Sequence, residues 1–191
     1  MHDTATGAGY GIAAAKGITG GRKGHKAALF EGGIGVPFIA RWPGKIAAGK
    51  VNDTALFSAV DLLPTFCDLA GAKLPASYVP DGVSQMETLL GKPSPTREKP
   101  LFWKMTGAWP IRKQQPFHWV SYAIVDQDWK LVTNKDSNYC ELYNIASDPL
   151  EQNDLKESQP KVVEQLLSKI ESWKTTLPSK PQTDCFSNLR E

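Results

Sequence analysis

The chain has 191 residues, 41% of them hydrophobic and 22% charged, with a formal net charge of +2. This length and balance suit one large or two small globular domains and exclude a chain that is disordered, collagen-like or coiled-coil throughout. With 22 basic against 20 acidic residues, and no basic run beyond Arg22-Lys23-Gly24-His25-Lys26, no field draws it onto nucleic acid or an anionic membrane.

The opening Met1-His2-Asp3-Thr4-Ala5-Thr6-Gly7 has neither helical nor strand periodicity and reads as the middle of a loop. Residues 1–35 form a Gly-rich irregular segment far longer than an ordinary connection, which points to a functional loop. Val36-Pro37-Phe38-Ile39-Ala40-Arg41-Trp42, closed by Pro43-Gly44, predicts a short buried strand and a turn. Asp61 then precedes Leu62, Leu63, Phe66, Leu69 and Ala70 at helical spacing, with Pro64 in the first turn and Gly71 past the end, so cap, proline and glycine agree on a helix. Cys67 falls on the apolar side of that helix as a buried structural thiol. Ser84 can cap a short helix through Met86, Leu89 and Leu90 that ends at Gly91.

After the polar linker from Lys92 to Lys99, the runs Leu101-Phe102-Trp103, Trp119 to Val125, Trp129 to Thr133 and Glu141 to Tyr143 predict a small antiparallel sheet. Val163, Leu166, Ile170, Trp173 and Leu177 share one face of a helix starting near Pro160, with Lys161, Glu164, Lys169 and Lys174 facing water. The tail from Pro178 is expected to be loose. The three cysteines, Cys67, Cys140 and Cys185, are too few and too scattered for a disulfide framework or a zinc site. No run reaches the roughly 18 apolar residues of a membrane span, and no signal peptide can be read.

The chemistry-bearing segment is Lys23 to Pro37, where two cations and a histidine occupy a loop just before the apolar run. Such a loop can aim a cation into a cleft at a sheet edge, and a solvated basic loop is the competing reading. Here the sequence resembles the C-terminal part of the sulfatase family. The resemblance runs through Lys26 to Glu31-Gly32-Gly33, Val36-Pro37-Phe38-Ile39, Trp42-Pro43-Gly44-Lys45-Ile46 and Gly49. It continues through Asp61-Leu62-Leu63-Pro64-Thr65, Leu69-Ala70-Gly71, Asp81-Gly82-Val83-Ser84, Asp128-Trp129-Lys130-Leu131 and Glu141-Leu142-Tyr143 to Asp148-Pro149 and Glu151. No single block is decisive, but the ordered set is specific, with a flavour of the arylsulfatase and N-acetylgalactosamine-6-sulfatase branch.

That resemblance implies an alkaline-phosphatase-like α/β fold: residues 1–98 would close the large catalytic domain, residues 99–178 would form the small sheet with its helix, and 179–191 a tail. It implies hydrolysis of a sulfate ester, of a sulfated carbohydrate or an aryl sulfate, outside the cytoplasm in the periplasm or extracellular space. It also implies calcium and a formylglycine nucleophile made within a C/S-x-P-x-R motif. That motif is absent; Pro93-Ser94-Pro95-Thr96-Arg97 has proline at the nucleophile's place and reads as chance. Lys26, five residues before Glu31, matches the family's active-site lysine, which stabilises charge on the ester oxygen. Asp3 lies near the spacing of a family calcium ligand, although Thr4 follows it where asparagine is usual.

His25 and Lys23 read as loop residues, Lys23 solvated. Glu31-Gly32-Gly33 reads as architectural, with glycines for unusual backbone angles and a carboxylate receiving loop amides. Gly35 stands where the family often has arginine. The aromatic and polar stretch Trp103 to Trp119 suits a sugar ring, with Arg112 and His118 as candidate substrate contacts. By itself the chain is expected to turn over nothing. A phosphoryl-transfer relative on the same scaffold, and a non-catalytic carbohydrate-binding or interaction module, remain the alternatives.

Overall fold

Four strands, β1 Leu101–Lys104, β2 Tyr122–Asp126, β3 Trp129–Thr133 and β4 Cys140–Asn144, pair in the order β1-β2-β3-β4, every pair antiparallel. They come from a computed structural model that describes residues 19–93, 96–105 and 120–179. The register sets Ile124 opposite Leu131 and Leu131 opposite Leu142, so one apolar row crosses three strands. Side chains alternate between faces along a strand, so Ala123, Val132 and Tyr143 must belong to the other face.

Each face has its own cover. The first is closed by a helix, Pro160–Thr176, whose Leu166 and Ile170 pack with Ile124, Leu131 and Leu142. Pro160 opens that helix where a missing N–H costs nothing, and the Phe102 and Trp173 rings stack at 4.9 Å. The second face is closed by a loop segment: Ala28, Leu29 and Phe30 join Val120, Ala123, Val132 and Tyr143 in one cluster. This core role for 28–30 is absent from the sequence reading, which gave the whole of 1–35 to an irregular functional loop. In chain order the helices are α1 Glu31–Ile34, α2 Leu62–Ala70, α3 Met86–Leu89 and α4 Pro160–Thr176, with a 3-10 turn over Ala59–Asp61.

Helix α2 ends as expected, with Gly71 at φ 66° and the amides of Gly71 and Ala72 returning to the carbonyls of Asp68 and Cys67. Asp61 does more than precede it. Its buried carboxylate accepts the amides of Ser58 at 2.8 Å and Val83 at 2.9 Å and pairs with Arg97 Nη1 at 2.8 Å. Arg97, the last residue of the chance motif match, therefore ties the linker before β1 to the start of α2. Ser84 Oγ accepts the Met86 amide at 3.4 Å, but the residue at the N-cap of α3 is Gln85, one position later than expected, and it makes no side-chain cap bond.

Three expectations fail here. Residues 36–42 form no strand, and Val36 and Ile39 are 77% and 90% exposed. A buried strand needs a paired neighbour and cover on both faces. Here Phe38 stacks on Phe57 at 4.4 Å and the Trp42 carbonyl closes a turn with the Lys45 and Ile46 amides, but the run pairs with no strand among the described residues. Cys67 is half-buried, because Leu63 and Phe66 of the same helix are also largely open to solvent. Lys174 is drawn over the Tyr122 ring at 4.3 Å and donates to Glu171 at 2.7 Å, an arrangement that a hydrophobic stem and a charged tip allow. The loose tail lies largely outside the described residues, as do the start of the Trp119 run and Cys185.

Because Ile170 is fully buried between α4 and the three-strand row, Ile170→Ala should lower unfolding free energy by about 2–5 kcal/mol in urea denaturation. Val79→Ser, at a 79% exposed position, should stay within about 0.5 kcal/mol.

Candidate functional site

The segment from Lys23 to Ile34 is short, but almost every backbone turn in it has a cause. Gly24 sits at φ 77°, and a Cβ there would lie 2.9 Å from that of Phe30. Ala27 sits at φ 71°, a conformation that costs an L-residue energy unless its surroundings impose it. The Ala28 amide closes a turn on the His25 carbonyl at 2.9 Å, and the Gly32 amide returns to the Lys23 carbonyl at 2.7 Å. The glycines of α1 serve close approach rather than unusual angles. Neither Gly32 nor Gly33 has a positive φ, but a Cβ on Gly32 would lie 2.6 Å from the Lys23 carbonyl oxygen and one on Gly33 2.5 Å from that of His25.

Two charged anchors fasten this loop to the second face of the sheet. At the C-terminal end, Glu31 Oε1 accepts Lys130 Nζ at 2.7 Å, Glu151 Oε1 pairs with the same ammonium at 2.9 Å, and Glu151 Oε2 accepts the Glu31 amide at 2.7 Å. The Lys130 and Glu151 side chains are fully buried. Glu31 is architectural, as expected, but its carboxylate takes an ammonium and its own amide is the one received by a carboxylate.

At the N-terminal end Lys23 Nζ donates to Glu141 Oε2 at 2.5 Å and to the Tyr143 hydroxyl at 2.7 Å, and lies 4.5 Å from the centre of the Phe30 ring. The hydroxyls of Tyr139 and Tyr143 both donate to Glu141. Lys23 is thus an anchor and not the solvated residue its sequence position implied. The register explains this: Lys130 and Tyr143 are paired, as are Val132 and Glu141, so the charges and apolar residues share the face that the loop covers.

Between the anchors the loop splits its two candidates. His25 is 5% exposed, and its Nδ1–H donates to the Lys26 carbonyl at 2.8 Å. Lys26 is exposed and has no ion-pair partner among the described residues. The fold therefore neutralises Lys23 and Lys130 and leaves Lys26 as a cation held out on a fixed backbone. Such a cation can meet an anionic oxygen. Asp3, Arg112 and His118 lie outside the described residues. Among the described residues no group of three or more His, Cys, Asp or Glu side chains could hold a metal ion.

The Glu151 and Glu141 carboxylates are shifted in opposite directions. Burial pushes Glu151 above its ordinary value of 4.5, against the pull of Lys130. Burial acts the same way on Glu141, but hydrogen bonds from Lys23, Tyr139 and Tyr143 outweigh it and hold the carboxyl below 4.5. Burial and the Glu141 acceptor raise both tyrosines well above the ordinary phenol value.

Residues 23–176 match the family described as the C-terminal part of N-sulphoglucosamine sulphohydrolase. An N-acetylgalactosamine-6-O-sulfatase from Bacteroides thetaiotaomicron is 32% identical over 154 residues, covering 80% of this chain and 30% of that protein. A solved structure from the same organism, described in connection with the metabolism of multiple glycosaminoglycans, superposes with a TM-score of 0.63 at 28% identity, over 82% of this chain and 32% of that one. A second solved structure, described as in complex with its substrate D-glucosamine-2-N,6-O-disulfate, gives a TM-score of 0.51 at 25% identity, over 74% of this chain and 29% of that one. The chain spans about 30% of the length of the curated relative.

A depressed acid contributes stability that is complete above its unfolded pKa and disappears as pH falls through its folded pKa. Glu141 should therefore stabilise the fold above pH 4.5 and lose that contribution below it. Glu151 works in the opposite sense: its contribution is complete below 4.5 and is lost as pH rises through its folded value. In urea denaturation across this range, the stability gap between wild type and Glu141→Gln should be widest above pH 4.5 and close on acidification. A gap that is constant with pH would contradict the assignment.

Proposed function

Because the chain belongs to the sulfatase family and carries the C-terminal part of its alkaline-phosphatase-like fold, with the small antiparallel sheet and closing helix, we propose that it completes an enzyme that hydrolyses sulfate esters. Lys26 is the residue it contributes to the chemistry. Cleavage of the ester shifts negative charge onto the bridging oxygen, and an ammonium already in place beside that oxygen stabilises the charge without reorganising water. The observation that carries the reading is the exposure of Lys26 at the centre of a loop fastened on both sides, while Lys23 and Lys130 are spent on internal carboxylates.

A sulfated carbohydrate is the proposed substrate, in keeping with the names of the similar proteins. Arg112 and His118 are proposed to touch it, and Asp3 is the calcium contact proposed for this chain. We assign residues 1–98 to the end of the large α/β domain, 99–178 to the sheet subdomain and 179–191 to a tail. No helix among the described residues is long and apolar enough to cross a membrane, and we propose a periplasmic or extracellular location. The nucleophile, absent from this sequence as a C/S-x-P-x-R motif, is proposed to come from the portion of the enzyme that the chain does not span. The open apolar side chains of Val36, Phe38, Ile39 and Trp42 would pack against that portion.

In the full-length enzyme, Lys26→Ala should lower kcat for an aryl sulfate by about a hundredfold or more while leaving the thermal unfolding transition in place. Lys26→Arg should recover only part of the loss, since a planar fork does not replace a compact ammonium at one oxygen. An unchanged kcat in Lys26→Ala would refute the assignment, and this chain alone should release no sulfate.

A further inference from the structure

We infer that Glu141 and Lys23 are positioning residues for the Lys26 cation: their ion pair sets the loop that presents it, an inference that rests on the sulfate-contacting reading of Lys26. Lys23 is three residues before Lys26. Its ammonium reaches Glu141 at 2.5 Å and the Tyr143 hydroxyl at 2.7 Å, while its carbonyl accepts the Gly32 amide at 2.7 Å. One residue thus holds the loop to β4 through its side chain and closes the loop on α1 through its backbone.

Glu141 is built to serve this single ammonium. Its side chain is 8% exposed, and its oxygens are shared among Lys23, Tyr139 and Tyr143. The Tyr143 hydroxyl accepts from Lys23 and donates to Glu141, so donors and acceptors balance. A stability device would serve anywhere on the sheet. This one is attached beside Ala27, whose φ of 71° is costly for a residue with a Cβ and persists only if the flanking residues are fixed. The pairing also occupies the Lys23 ammonium, while Lys26, three residues on, stays exposed.

The test uses amide hydrogen exchange and a titration with inorganic sulfate, followed at the Lys26 side chain in lysine-labelled protein. Glu141→Gln and Lys23→Gln should each speed exchange at the Ala28, Gly32 and Gly33 amides at least about tenfold, with less than about a twofold change at Ile124 and Leu131 in the sheet. Each should also weaken the sulfate response of Lys26 at least about threefold, a readout that a purely structural pair would not move. The charge swap Lys23→Glu with Glu141→Lys should restore part of both. If these variants unfold, Tyr143→Phe keeps the ring, removes only the shared hydroxyl, and should give the same pattern at smaller amplitude.

Unchanged loop exchange would overturn the anchor whatever Lys26 does. Faster loop exchange with an unchanged sulfate response would overturn the positioning role. A wild-type Lys26 resonance indifferent to sulfate would refute the sulfate-contacting reading itself, and the positioning role with it, while the exchange data would still report on the anchor.

Discussion

A lysine with no solvent exposure is the constraint on which the rest of this structure depends. Lys130 projects from β3 into the face covered by the Lys23 to Ile34 loop. An ammonium moved from water into such a place costs several kcal/mol unless carboxylates and hydrogen bonds offset it. Glu31 and Glu151 supply them, the first from α1 and the second from the segment after β4, where Glu151 adopts φ 55° to do so. Because Glu151 also accepts the Glu31 amide, the three residues form a closed unit, and the loop cannot lift from the sheet without stranding a charge.

From that unit the apolar packing follows. With Glu31 fixed, the preceding Ala28, Leu29 and Phe30 lie against Ala123, Val132 and Tyr143. With Phe30 fixed, Lys23 finds its ring on one side and Glu141 on the other. The chain then reverses so sharply within 24–33 that glycines at 24, 32 and 33 are needed for carbonyls and side chains to pass. The result is a small sheet whose two faces do different work: α4 stabilises one, and the other acts as the mount for an exposed cation.

Much of this was legible in the sequence, for identifiable reasons. The strands and α4 follow from local periodicity, since the apolar row Ile124, Leu131 and Leu142 and the helical face with Leu166 and Ile170 are each read within a few residues. Lys26 was legible only through the family resemblance, by its place five residues before Glu31. The anchors were not, because Lys23 and Glu141 are 118 residues apart and Lys130 and Glu31 are 99 apart; polar positions alternating in a strand look the same whether they meet water or a loop. The failed strand at 36–42 shows the converse: an apolar run records a tendency to be buried, and only a partner decides whether it pairs. The string ending at Arg97 reads as a chance match, and its guanidinium is buried against Asp61.

Buried charge, as well as apolar contact, fixes the Lys26 loop to the sheet. A double-mutant cycle on Glu31→Gln and Lys130→Met, read by urea denaturation of the wild type, both single variants and the pair, tests it most directly. The structure predicts a coupling energy of about 1–3 kcal/mol, with Lys130→Met alone strongly destabilising because it leaves two carboxylates without their cation. Strictly additive single-variant effects would contradict it and reduce the Glu31 to Lys130 contact to incidental proximity.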